Sequence, residues 1–211
     1  LSRPRSPDEY RELLAASVED YERIGRLIDN ILFLARADHA QAGLDPVWVP
    51  LAERIASIAE FFDLLAEEHG VGLAWQADTD AGAAVWADET LMARAIGNLL
   101  TNALRHALPG STVSLHARST HGGGGTIAVA NEGAAIAPEH QARIFQRRYR
   151  LETPHTPAEP GSGLGLAIVK SVMDLHGGSA SVRSNAGEPT VFTLRFPGPR
   201  RRPVDLRPAV R

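Results

Sequence analysis

The sequence predicts an α+β chain led by one long amphipathic helix, and three observations predict it. Near the start, Leu14, Ser17, Tyr21, Ile24, Ile28, Ile31 and Ala35 recur at spacings of three and four residues, the period of a helical stripe. Further on, helical stretches are interleaved with short runs of alternating polarity bounded by Gly, Pro and Asp, which read as strands. Late in the chain, Gly161-Ser162-Gly163-Leu164-Gly165-Leu166 leads straight into the apolar helical run Ala167-Ile168-Val169-Lys170-Ser171-Val172. A junction of that kind aims free backbone N–H groups and the positive end of a helix dipole at one spot, which suits a phosphate. Alone, it equally suits a plain turn or close helix packing.

The elements follow in order. Ser6-Pro7-Asp8-Glu9 reads as a helix start, with Ser at the cap, Pro in the first turn and acids beside it. The helix continues to about Ala37, and Val18, Leu27, Leu32 and Leu34 widen its stripe. About eight turns with such a face call for a partner helix. Gly43 to Pro46 is a break. A second helix runs from Leu51 to Glu68 through Ile55, Ile58, Phe62 and Leu65. Strands are expected over Val71–Trp75 and Ala84–Ala87. Asp88 caps a third helix that reaches about His106. Ser111–Arg118 and Thr126–Ala130 form two strands around the Gly122–Gly125 turn, and a short helix is expected from Pro138 to Arg147. Leu151 to Pro160 is Pro-rich and polar, the composition of a surface loop. After the glycine run the helix extends to Leu175 and stops at His176-Gly177-Gly178. Ser179–Ser184 and Thr190–Phe196 close the fold as a hairpin. Arg200 to Arg211 has the composition of a disordered basic tail.

Composition narrows the function classes. The chain has 211 residues, a net charge of -3 and no cysteine. A nucleic-acid binder is expected to be basic, and disulfides or thiolate metal sites need cysteine. No apolar run reaches the roughly 20 residues of a membrane span, and no signal peptide is visible. The first residue is Leu1 rather than Met, so a fragment of a longer protein is expected.

The chemistry-bearing residues lie on the third helix and after it. Asn98 and Asn102 are four apart, on one face one turn apart. Neutral amide oxygens can ligate Mg²⁺ while phosphates supply the negative oxygens. Arg105 and His106 follow, an arginine able to pair with phosphate and a ring able to cover a base.

The stretch Asn98-Leu99-Leu100-Thr101-Asn102-Ala103-Leu104-Arg105-His106 resembles the N box of bacterial sensor histidine kinases. Asn131-Glu132-Gly133-Ala134-Ala135-Ile136 falls where their first glycine box does. Ile144-Phe145-Gln146-Arg147-Arg148-Tyr149-Arg150 is similar to their F box, and Gly161 to Ser171 to their second glycine box. Four motifs in register cover the chain from about Tyr10 to Pro197. Ile31-Leu32-Phe33-Leu34-Ala35-Arg36-Ala37-Asp38, Asn131-Glu132-Gly133 and Ile136-Ala137-Pro138-Glu139-His140 resemble the heavy-metal (copper/silver type) sensor branch.

The resemblance implies a Bergerat-type α/β sandwich, with helices on one face of a mixed sheet and a long helix of a dimerisation bundle before it. It divides the chain into residues 1–40 of the bundle, 41–198 of the catalytic ATP-binding domain and 199–211 of tail. It implies ATP and Mg²⁺ as ligands, the metal held by Asn98 and Asn102. Asn98, Arg105 and Arg150 take catalytic roles. Arg105, His106, Asn131, Gly133, Ile136, Arg147, Gly161, Gly163, Leu164, Gly165, Leu166 and Thr190 line the nucleotide site, Asn131 facing the adenine amino group. It implies a response regulator receiver domain as partner, a homodimer through the bundle helix, no nucleic acid, and a place in the cytoplasmic portion of an inner-membrane sensor.

The pattern also departs from the family. None of the eight histidines has the His-Glu/Asp-Leu-Arg-Thr-Pro context of the phosphate acceptor, so that residue is expected upstream of Leu1. Asn131 and Ala135 replace an aspartate and a glycine, and loss of the charge costs about 1 kcal/mol of adenine binding. These changes support an alternative, a non-catalytic ATP-sensing module of the same fold. Phe145–Arg150, followed by this form of glycine box, argues against a chaperone or topoisomerase ATPase.

Overall fold

The computed structural model describes residues 6–38, 43–77, 83–120, 122–149 and 163–199. The chain divides into two compact units, Leu1–Ala42 and Gly43–Arg211. The first is a single helix, α1 (Pro7–Asp38). Its start is a capping box: Glu9 N–H donates to Ser6 Oγ at 3.2 Å, and Ser6 N–H donates to Glu9 Oε2 at 2.6 Å. The periodic stripe is solvent-facing, with Leu14, Tyr21, Ile24, Ile28 and Ile31 all exposed.

The second unit contains β1 (Val47–Pro50), α2 (Leu51–Glu68), β2 (Gly72–Ala77), β3 (Ala84–Ala87), α3 (Glu89–His106), β4 (Thr112–Thr120), β5 (Gly124–Asn131), α4 (Pro138–Gln141), α5 (Gly165–Leu175), β6 (Ser179–Arg183) and β7 (Thr190–Phe196). Five strands form one sheet in the order β2-β4-β5-β7-β6. β2 runs parallel to β4, and the other neighbours are antiparallel, so the sheet is mixed. Alternation along the strands sorts its faces. Val113, Leu115, Ile127, Val129, Phe192, Leu194 and Phe196 are buried, whereas Ser114, His116, Thr126, Thr193 and Arg195 on the opposite face retain solvent contact.

Helices α2, α3 and α5 complete the core with Leu51, Ile55, Met92, Ile96, Leu99, Leu100, Ile168 and Met173, all fully buried. Each such side chain contributes about 1.5–3 kcal/mol relative to exposure. Asp88 caps α3 by accepting from Leu91 N–H at 3.0 Å. His176, just past α5, accepts from Asp88 N–H through Nε2 at 3.0 Å, and its Nδ1 is 2.8 Å from Val172 O. The imidazole therefore joins the end of α5 to the start of α3.

Three elements differ from expectation. β1, not anticipated, pairs antiparallel with β3, Val47 opposite Ala87 and Trp48 opposite Trp86. β5 begins at Gly124, inside the run expected to be turn. The helix expected from Pro138 to Arg147 ends at Gln141. Beyond it, Arg143 N–H and Gln146 N–H reach back only three residues, to His140 O and Arg143 O, and Arg148 is left-handed at φ 59, a conformation no helix continues. Apart from Pro199, the expected tail lies outside the described residues. Among the described residues no helix is long and apolar enough to cross a membrane.

Candidate functional site

The site lies where α3, the end of β5 and the start of α5 meet. α3 presents Asn98 and Asn102, both half-buried, on the edge away from Leu99, Leu100, Ala103 and Leu104. Asn98 Nδ2 donates to Arg94 O at 2.8 Å. That bond leaves Asn98 Oδ1 to point off the helix, and it points at the first residue of α5. A β-carbon on Gly165 would stand 2.9 Å from this oxygen, a separation real β-carbons do not show. Glycine there lets the helix start and the amide come together without displacing the Asn98 side chain. Two of the motifs singled out in the sequence are thus brought into contact, an amide oxygen beside a helix N-terminus.

The far end of α3 meets the β5 exit in a similar way. Leu108 N–H donates to Glu132 O at 2.9 Å. A β-carbon on Gly133 would lie 2.2 Å from His106 O, so only glycine lets these two backbones pass. Arg105 and His106 end the helix on the exposed side. Partial burial of the ring, and secondarily the Arg105 guanidinium, hold the His106 imidazole below the usual histidine range.

A buried polar cluster floors the site. Asn131, Ser184 and Thr190 are 4%, 3% and 3% exposed, in a face otherwise apolar. Asn131 ends β5 opposite Thr190, the first residue of β7. Asn131 Nδ2 lies 3.3 Å from Glu132 O, to which it donates. Ser184 Oγ lies 2.6 Å from Thr190 Oγ1 and accepts from Ile136 N–H at 2.9 Å. Gln141 Nε2 donates to Ile136 O at 2.8 Å and to Ser184 O at 2.7 Å. Ser184 and Gln141 were not among the expected site residues. They are common polar types 43 positions apart, and no spacing in the sequence links them.

The remaining expected residues divide. Leu164 is buried just before α5, Leu166 sits in its first turn, and Gly163 is left-handed at φ 65. Gly163 O accepts from Arg148 N–H at 3.2 Å. Arg147 lies in the exposed turn before Arg148. Tyr149 Oη is 2.6 Å from His140 Nδ1, and the Arg143 guanidinium lies 4.6 Å from the Tyr149 ring centre. Arg150 and Gly161 lie outside the described residues. Among the described residues no three His, Asp or Glu side chains gather as a metal cluster, so amide oxygens are the hard donors this site offers a divalent cation.

The profile of the family described as histidine kinase-, DNA gyrase B-, and HSP90-like ATPase matches residues 87–200. The sensor protein IrlS of Burkholderia pseudomallei is 39% identical over 197 residues, covering 93% of this chain and 41% of that protein. The sensor histidine kinase CusS of Escherichia coli is 37% identical over 195 residues, covering 92% and 40%. The crystal structure of full-length ShkA in complex with AMPPNP is similar with a TM-score of 0.78 at 27% identity, covering 93% of this chain and 40% of that one. The chain thus spans about two fifths of the length of the curated relatives it matches.

Proposed function

Because the chain belongs to the family of histidine kinase-, DNA gyrase B- and HSP90-like ATPases, we propose that it is the ATP-binding catalytic region of a two-component sensor histidine kinase. The observation that carries this reading is the apposition of Asn98 Oδ1 and Gly165. It sets a hard, neutral oxygen beside a helix start free of side-chain bulk, a combination suited to a triphosphate and its cation.

The roles are those that the resemblance implies. Asn98 and Asn102 would hold Mg²⁺, which when bound offsets phosphate charge. The backbone of Gly163, Leu164, Gly165 and Leu166 would receive the phosphates, and Gly161 would extend that cradle. Arg105, Arg147 and Arg150 would supply positive charge to the phosphates, with Arg105 and Arg150 in the catalytic roles. His106, its imidazole held below the usual histidine range, would contact the nucleotide by packing and a hydrogen bond. Gly133 and Ile136 would border the base, Asn131 would accept from the adenine amino group, and Thr190 would stand beside it. Little covalent chemistry is asked of the protein, since phosphoryl transfer is driven by positioning and charge neutralisation.

The acceptor would be a histidine on a helix upstream of Leu1, with a response regulator aspartate receiving the phosphate next. Residues 1–40 would be the second bundle helix and 41–198 the catalytic domain. The exposed stripe of α1 would then be closed by the missing helix and a second copy of the chain, in the cytoplasmic portion of a membrane-anchored sensor of the copper/silver type. The test restores the upstream helix and incubates the protein with γ-labelled ATP and Mg²⁺. Acid-labile phosphate is expected, and it should vanish on replacing the upstream histidine. Absence of binding at millimolar ATP rejects the kinase and the ATP-sensing alternative together, whereas binding without transfer leaves the sensing module.

A further inference from the structure

Helix α2 carries the most exposed large apolar side chain among the described residues. Phe61 is 79% exposed, and Leu64, one turn on, is 67% exposed. The Phe61 ring is nonetheless placed, since it meets the core residue Phe62 edge-to-face at 5.5 Å. Glu53, Glu60, Asp63, Glu67 and Glu68 stand on the same outward side of the helix, all exposed. The single cation of α2, Arg54, is turned to α3, its Nη1 3.4 Å from Glu89 Oε1. None of the five carboxylates has an ion-pair partner among the described residues. An apolar pair is therefore framed by negative charge that nothing described here offsets.

Such a face fits a segment that is apolar and cationic at once. Apolar side chains would cover Phe61 and Leu64, while guanidinium groups would pair with the carboxylates or lie over the outward ring. The same chain holds a segment of that chemistry. Residues 200–211 carry Arg200, Arg201, Arg202, Arg207 and Arg211 against one acid, Asp205, with Val204, Leu206 and Val210 among them. The point where this segment leaves the fold lies close to α2. Pro199 and the Trp48 ring both lie against the position that a β-carbon of Gly123 would take. Trp48 belongs to β1, which runs directly into α2 at Leu51. From Trp48 to Leu51 is about 10 Å of strand, and Phe61 lies about 15 Å further along the helix. Twelve extended residues span up to about 40 Å, so the segment reaches the apolar pair with length to spare.

We infer that the outward side of α2 is a docking surface for residues 200–211 of the same molecule, with Val204 and Leu206 covering Phe61 and Leu64 and the arginines facing the carboxylates. The inference is independent of the nucleotide-site reading. Because the charges meet at the surface, the contact weakens as salt screens them.

Limited digestion of the full 211-residue chain by trypsin, which cuts after Arg200 and Arg201, tests this, with loss of the tail followed by mass spectrometry. Where opening is fast relative to cutting, the rate follows the open population. Phe61→Ser combined with Leu64→Ser is expected to speed loss of the tail by about tenfold. Glu60→Gln, Asp63→Asn and Glu67→Gln together should act in the same direction. So should Val204→Ser with Leu206→Ser, which leaves the cut sites in place. High salt should bring the wild-type rate towards that of the tail variant. Equal rates in the wild type and every variant overturn the inference. A faster rate in the tail variant alone also overturns it, because the tail then docks elsewhere. Protection that grows with protein concentration assigns the surface to a second copy and overturns docking within one molecule. Melting curves identify an α2 variant that does not fold, and the carboxylate and tail variants then decide.

Discussion

Asn98 and Gly165 belong to different helices, 67 positions apart in the chain, yet the amide oxygen of one stands 2.9 Å from where a β-carbon of the other would lie. Gly165→Ala separates the two consequences of that contact. Alanine favours a helix by about 1 kcal/mol over glycine, whereas forcing a methyl against a held side chain costs about 1–3 kcal/mol. Thermal stability should therefore change little. Asn98 can yield only by giving up its bond to Arg94 O, so ATP affinity should fall roughly tenfold, about 1.4 kcal/mol. Calorimetry and a melting curve on the same sample check both halves.

The turn between α4 and the glycine run is tied down by Tyr149. Tyr149→Phe removes the hydroxyl bonded to His140 Nδ1 but keeps the ring beside Arg143. It should cost about 1 kcal/mol in urea unfolding, with Tyr149→Ala costing more because the ring contact goes too. Arg148, at φ 59, gives an independent readout of the same turn. Arg148→Gly should be close to neutral, and the β-branched Arg148→Val should lose about 1–2 kcal/mol.

His106 makes stability depend on pH with a defined sign. Its folded-state affinity for a proton is depressed, by burial first and by Arg105 second. The unfolded chain, with an ordinary imidazole, binds the proton more readily, so unfolding gains protons as the pH drops. The stability contribution is complete above the ordinary value of 6.5 and is lost as the pH falls below it towards the folded value. His106→Gln, which cannot titrate, should flatten the fall in unfolding free energy as the pH drops below 6.5. An unchanged slope would show that other groups carry the dependence.

His176 is a structural counterpart. His176→Ala orphans the Asp88 N–H, strips a bond from Val172 O and removes an edge-to-face contact with Phe196, whose ring centre is 5.2 Å away. The expected loss is about 2–3 kcal/mol, visible as a lower urea midpoint.

The parts of this molecule that were legible in the sequence are those with a local cause. α1, α3 and α5 announce themselves by periodicity and by Ser6, Asp88 and the glycines around His176. The long-range parts were not. β1 is four residues long and ends in Pro50, too brief to show alternation, and its partner Ala84–Ala87 lies beyond a whole helix. Past α4 the backbone tightens to bonds three residues apart and then turns left-handed at Arg148, which nothing about an arginine announces. The motifs placed Asn98, Asn131, Gly133, Gly165 and Thr190 near one another, but not the reason for Gly133, which is the carbonyl of His106. Ser184 and Gln141 escaped because what marks them is burial in the one and two long-range hydrogen bonds in the other, both properties of the fold.

The hydrogen bond from Arg148 N–H to Gly163 O has a consequence for how this chain can change. It fastens two points 15 positions apart, so the entropy of bringing those ends together is already committed in the folded state. The cost of a longer connection grows only as the logarithm of its length, about 0.6 kcal/mol for each doubling. Insertions and deletions between the two anchors are therefore nearly invisible to global stability, while a change at either anchor is not. The stretch can vary in size and composition while the start of α5 stays beside Asn98.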